Sequence, residues 1–264
     1  MSLVVGILLP EGIALACDGR VVCQNSSKGE GDQEPGFEVV GNNCPKIHLI
    51  SDRHILAYTG YAEINRWNLD RDTIPWLKGL MADGATIREA GTMLSERLAN
   101  VFCGRHEKTH CFVLCGYDKD KKFPYLIRYA YDEQFTVELG IQEDDMLQGG
   151  IFCMGHGDIL KKVIDGEEPD IKNLGLDSAL NLVELLVVLE IKCRPAFKGH
   201  KEYVGGRLFT AAATQKQCGF VRRASDGRYR FIDNPVINPF QDFIKEAQKA
   251  QGEVEEALKA GKNK

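Results

Sequence analysis

Residues 2–17 constrain the fold of this chain more than any other stretch. SLVVGILL at 2–9 is apolar and rich in β-branched residues, Pro10, Glu11 and Gly12 supply a turn, and IALAC at 13–17 resumes the apolar run. Runs this short, bounded by turn chemistry, read as strands rather than helices, so the chain opens with a β-hairpin that starts at residue 2.

The rest of the chain alternates between strand and helix patterns in blocks. Residues 24–43 (QNSSKGEGDQEPGFEVVGNN) are rich in Gly, Ser, Asn and charge and read as a long loop with a short strand at 37–40. Strands follow at 46–51 and 54–59. After Gly60 the spacing becomes helical over 61–80, interrupted near Pro75, and Thr86 is the expected N-cap of a second helix ending near Phe102. Residues 111–139 form two or three strands and 150–154 another. Helices are expected at 159–164 and at 178–192, the latter largely buried. Strands return at 207–213 and 219–232. The tail, 239–264, reads as a charged amphipathic helix whose stripe of Phe240, Phe243, Ile244, Ala247, Val254 and Leu258 is sparse enough to suit either the domain or a neighbouring subunit. Strands, two helices, strands, two helices, strands is an α+β order. It favours a four-layer αββα sandwich, two antiparallel sheets flanked by helices, over a parallel βαβ fold. The expected organisation is one domain at 2–232 with a C-terminal extension at 233–264.

Composition narrows the function classes. The net charge of -5, with basic residues scattered over both halves, supplies no positive surface for nucleic acid or an anionic membrane. The opening MSLVVGILLPEG lacks a basic leader region, and no later segment reaches the ~18 apolar residues needed to span a bilayer. The expectation is a soluble, cytoplasmic protein. Nine cysteines at irregular intervals suit buried thiols better than a disulfide framework. Cys103, His106, His110, Cys111 and Cys115 carry zinc-ligand chemistry, but on a strand Cys111 and Cys115 share a face while lying roughly 13 Å apart, too far for one ion. No metal is expected.

Several fragments, in order, resemble the mature proteasome β subunits and the bacterial HslV peptidase, members of the N-terminal-nucleophile (Ntn) hydrolase family. Ser2-Leu-Val-Val-Gly6 and Gly12-Ile-Ala-Leu-Ala-Cys-Asp18-Gly-Arg20 resemble the family's nucleophile strand and its Asp-containing second strand, with the Ser2 to Asp18 interval the family keeps. Pro45-Lys46-Ile47-His48-Leu49-Ile50 resembles the lysine strand, and Ala57-Tyr58-Thr59-Gly60-Tyr61-Ala62 the strand-to-helix turn, again at a matching Lys46 to Gly60 interval. Met154-Gly155-His156-Gly157 and Tyr203-Val204-Gly205-Gly206 resemble two later glycine segments. The resemblance covers residues 2–232.

That resemblance implies a mechanism. A serine hydroxyl needs a base at neutral pH, and a terminal amine with pKa about 8 serves when it lies on the same residue. Ser2, freed by removal of Met1, is the implied nucleophile. Lys46 would lower the proton affinity of the amine and hydroxyl, Asp18 would hold and neutralise Lys46, and Gly60 would offer its N–H to the oxyanion. Arg20, Val21, Tyr58 and Ala62 are implied to line the substrate site, with the bulky Tyr58 making a shallow pocket. Two positions depart from the family. His156 stands where a serine hydroxyl is usual, and Lys201 and Val204 replace an aspartate and a second serine, with Glu202 one residue away. His156 has a side chain that exchanges protons near neutral pH. The implied activity is peptide-bond hydrolysis without cofactor, on peptides or unfolded protein, within a ring or stacked rings, with an ATP-driven unfoldase as partner. Two alternatives stay open: an amidase or transpeptidase on the same fold, favoured by the long 24–43 loop, and a catalytically silent assembly subunit, favoured by His156 and Lys201.

Overall fold

Every residue of β1 (Leu3–Leu9) and β2 (Gly12–Asp18) is buried, and the reason lies on the two faces of the hairpin they form. Leu3, Val5, Ile7 and Leu9 of β1, with Ala14 and Ala16 of β2, pack against Ala179, Leu180, Val183, Leu186 and Val187. Side chains alternate across a strand, so Val4, Leu8, Ile13 and Leu15 point to the other face. Both faces being covered, the runs read as continuous rather than alternating apolar sequence. Each fully buried aliphatic side chain contributes about 1.5–3 kcal/mol, so burial on both faces anchors this hairpin firmly.

A computed structural model describes residues 2–24, 37–60, 62–64, 67–102, 110–130, 135–140, 150–155, 157, 160, 171, 173–193 and 204–233. The chain divides into two compact units, Met1–Asp233 and Asn234–Lys264, and all described residues belong to the first. The helices expected at 159–164 (Leu160 apart) and 239–264 lie outside them.

In chain order, β3 (Val21–Gln24) pairs with β4 (Phe37–Gly41), and β5 (Ile47–Leu49) is followed by β6 (His54–Thr59). Short β7 (Glu63–Ile64) and β8 (Trp67–Asn68) lead into a π-helical turn, Leu69–Thr73, and then α1 (Ile74–Ala82) and α2 (Ile87–Phe102). Next come β9 (Cys111–Gly116), β10 (Tyr125–Ala130), β11 (Phe135–Gly140) and β12 (Gly150–Gly155), then α3 (Leu176–Cys193), and finally β13 (Leu208–Ala213), β14 (Cys218–Arg223) and β15 (Tyr229–Ile232). The fold is α+β. One antiparallel sheet has the order β12-β1-β2-β13-β14-β15 and the other β11-β10-β9-β6-β5. Strand β1 contacts β6, and β2 and β12 contact β9. Helix α3 contacts β1, β2 and β13, whereas α2 contacts β9 and β10.

Three details correct the sequence reading. Within 61–80, short strands at 63–64 and 67–68 precede the π-helical turn Leu69–Thr73, and the α-helix begins only at Ile74, where Pro75 sits in the first turn and its missing N–H costs nothing. Helix α3 is not largely buried: Leu185 and Val188 lie on its open face, at 61% and 39% exposure. The 24–43 loop begins inside a hairpin, since Val21–Gln24 is already strand. Thr86 does cap α2, in reciprocal bonds with Glu89: the Glu89 N–H donates to Thr86 Oγ1 (3.2 Å) and the Thr86 hydroxyl to Glu89 Oε2 (2.8 Å). No helix among the described residues is long and apolar enough to cross a membrane.

Candidate active site

Asp18 ends β2 with a carboxylate fully withdrawn from solvent, at 0% exposure. Its Oδ1 accepts the Leu3 N–H at 2.7 Å, and its Oδ2 accepts the N–H groups of Gly205 (3.1 Å) and Arg20 (3.2 Å). Three main-chain donors from three parts of the chain thus converge on one side chain. Burial pushes the Asp18 carboxyl above its ordinary value; the Leu3 amide, the Lys46 charge and the amides of Gly205 and Arg20 pull the other way, and burial prevails.

Lys46 is held beside this carboxylate by its main chain. Its N–H donates to Cys17 Sγ at 3.3 Å, and its carbonyl accepts the Tyr58 N–H at 2.9 Å, at the edge where β5 meets β6. Its charge is close enough to act on both Asp18 and Cys17. Burial pushes the Cys17 thiol up to about 12, which keeps it protonated and unreactive despite its place in the cluster.

Ser2 precedes β1 and is 3% exposed. The register Leu3↔Gly155 lays the end of β12 beside it. Gly155 has φ +83°, and a Cβ there would run into the Ser2 carbonyl oxygen and lie 3.3 Å from Thr59 Cγ2. Only glycine fits such a backbone and such a gap. Thr59, 1% exposed, therefore flanks the same glycine as Ser2 from the other sheet.

Gly60, next along, has φ +126°, and a Cβ on it would strike His110 Nδ1. His110 is buried and shares a 3.0 Å hydrogen bond with the Tyr58 hydroxyl. The Tyr58 ring packs with Leu56, Leu77, Leu98, Phe112 and Tyr129 in the core between the second sheet and α1 and α2. Tyr58 is thus a buried, tethered ring. The Arg20 side chain donates from Nε to Asn42 Oδ1 at 3.2 Å and its guanidinium lies against Gly205. Val21, half-buried, starts β3 at a register shift, and Ala62 is exposed, its carbonyl accepting the Leu69 N–H.

The structure therefore sets the Asp18 carboxylate against the main chain of Leu3, the residue after Ser2, and of Arg20, within reach of the Lys46 charge, while Gly60 lies against His110 and follows Thr59, which flanks Gly155 opposite the Ser2 carbonyl. His156, Lys201 and Glu202 lie outside the described residues. Val204 packs into the core with Leu3, as an apolar residue would. Two neighbours escaped the sequence reading as site residues. Thr59 looked like one more residue of an apolar strand, and His110 like part of a Cys/His cluster. Their positions follow from the Thr59↔Cys111 pairing of β6 with β9, and nothing local in the sequence reports that register. Among the described residues no cluster of His, Cys, Asp or Glu is arranged to hold a metal ion.

The chain matches no protein-family model and no curated protein sequence.

Proposed function

We propose that this chain is an Ntn hydrolase of the proteasome β/HslV type, with the four-layer αββα arrangement of that family, cleaving amide bonds with Ser2 once Met1 is removed. The observation that carries the reading is the Asp18 carboxylate: buried, gripped by three main-chain N–H groups, one of them that of the residue following Ser2, and coupled to the charge of Lys46. A buried carboxylate held this way is preorganised to keep a lysine charged next to a nucleophile.

In this mechanism the free Ser2 amine takes the hydroxyl proton as Oγ attacks the carbonyl carbon. The Gly60 N–H receives the oxyanion, and the amine returns the proton to the departing amine as the tetrahedral intermediate collapses to an acyl-serine ester. Water, activated by the same amine, then releases the acid and restores Ser2. The Lys46 charge lowers the proton affinity of the hydroxyl, and Asp18 balances that charge. The substrate class is peptide or unfolded protein, and the setting a cytoplasmic ring or stacked rings fed by an ATP-driven unfoldase. The bulk of Tyr58, tied back to His110, favours small or medium side chains before the scissile bond. Profiling with a peptide library checks this, and a strong Phe or Leu preference unaffected by Tyr58→Ala would sink it.

One observation favours a second reading, a silent assembly subunit: Ser2 is 3% exposed, and the Asp18 bonds would tie β1, β2 and residues 204–206 together even without chemistry. Two variants decide between them. Ser2→Ala deletes the nucleophile, and an additional residue left ahead of Ser2 turns the amine into a non-basic amide. The hydrolase reading expects both to abolish peptide turnover. Turnover at the native rate by either variant excludes the N-terminal mechanism.

A further inference from the structure

Thr59 Oγ1 is buried and has no hydrogen-bond partner among the described residues. Such a hydroxyl is costly, since it gives up its water bonds and gains none in return. A fold with no use for it would hold valine there, which has the same shape without the polar atom. Its surroundings say what the use is. Thr59 ends β6 immediately before Gly60, on the strand face opposite Leu56 and Tyr58. Its Cγ2 methyl flanks Gly155, the glycine whose other neighbour is the Ser2 carbonyl, so the side chain stands within one residue's width of Ser2.

We infer that Thr59 is a positioning residue of the Ser2 site: in the mature chain its hydroxyl accepts an N–H from the Ser2 α-amine and turns the nitrogen lone pair toward Ser2 Oγ. This inference rests on the hydrolase reading above. Removal of Met1 converts an amide with one N–H into an amine with two, three when protonated, so maturation creates the donor that the unpaired hydroxyl lacks. The sequence has no serine at His156 or Val204, where the family's hydroxyls are expected, and Thr59 supplies one from the opposite sheet. An acceptor on the amine also favours its protonated form, which raises its strength as a base.

The test is peptidase kinetics over a pH series for the mature wild-type chain, Thr59→Val and Thr59→Ser, with thermal melting of each and labelling of Ser2 by a β-lactone. For Thr59→Val, kcat is expected to fall about tenfold with KM unchanged. The acid limb of its profile should move to lower pH by about half a unit, and its melting temperature should be at or above wild type. Thr59→Ser should restore rate and profile. A Thr59→Val chain with wild-type kcat and pH profile would overturn the inference while Ser2 labelling leaves the hydrolase reading standing. One that melts well below wild type, or fails to fold, would overturn it too, because the hydroxyl would then have a structural partner. Absence of labelling in the wild-type chain would remove the hydrolase reading and the inference with it.

Discussion

The two ends of strand β6 carry similar polar residues put to different uses. At the His54 end, Ser51 Oγ lies 2.8 Å from His54 Nδ1, and Asp118 Oδ1 lies 3.9 Å from His54 Nε2. Serine, histidine and aspartate in line look like a hydrolase triad. Their other bonds argue otherwise. Ser51 Oγ accepts the Arg53 N–H (3.1 Å) in the turn joining β5 to β6, and Asp118 Oδ1 accepts the Ile87 N–H (2.7 Å) at the start of α2. The Cys218 thiol, pushed up to about 12 chiefly by burial, donates to the Ser51 carbonyl at 3.1 Å. These bonds close a turn, cap a helix and tie down a hairpin. At the Thr59 end, the bonds to Asp18 come from three separate segments and converge beside a serine and a lysine. Residue types alone do not distinguish the two ends; on the proposed reading, the convergence of bonds beside Ser2 and Lys46 marks a site, whereas those around His54 brace local structure.

The largest expected effect separates the two serines. Ser2→Ala should lower kcat by on the order of 10³-fold or more, Lys46→Ala should be nearly inactive, and Ser2→Thr should stay active. Ser51→Ala should leave turnover unchanged. Steady-state peptide assays on purified variants read all four, and a Ser51→Ala enzyme as dead as Ser2→Ala would reverse the comparison.

Next in size is Asp18→Asn. The replacement amide turns one acceptor into a donor facing a main-chain N–H, so a loss of about 3 kcal/mol in denaturant unfolding is expected, with activity lost as well. A stable, active variant would mean that the three amides do not need the charge. Gly155→Ala, forced into a left-handed backbone against the Ser2 carbonyl, should cost about 1–3 kcal/mol and, on the proposed mechanism, slow peptide turnover.

A smaller effect sharpens the His54 side. Burial lowers the proton affinity of His54 more than Asp118 raises it. As pH falls below the ordinary histidine value of about 6.5, the unfolded chain therefore takes up the proton first, and stability drains away. His54→Gln should flatten that acid slope of the melting temperature without changing turnover at neutral pH. Smallest is the stability cost of Ser51→Ala, about 1 kcal/mol for one hydrogen-bonded hydroxyl.

Legibility in the sequence followed the range of the interactions. The opening hairpin, the Thr86 cap and most strands of both sheets could be read locally, because apolar runs and turn residues are local signals. The 61–80 stretch misled, since a proline marks a helix start or a helix break depending on the residues that follow it in space. Ser2, Asp18, Lys46 and Gly60 were singled out by the resemblance and its two matched intervals. Gly205 as a donor to Asp18 was not, as it meets that side chain across 187 positions of sequence. Thr59 and His110 depend on strand register, which no short window of sequence contains.

The most direct test of the account is covalent labelling of the full chain with an epoxyketone or β-lactone probe, followed by peptide mapping. The account predicts loss of Met1 and a single adduct on Ser2, absent from Ser2→Ala and undiminished in Ser51→Ala. A chain that keeps Met1 and takes no label at Ser2, or takes it at Ser51 instead, would contradict it.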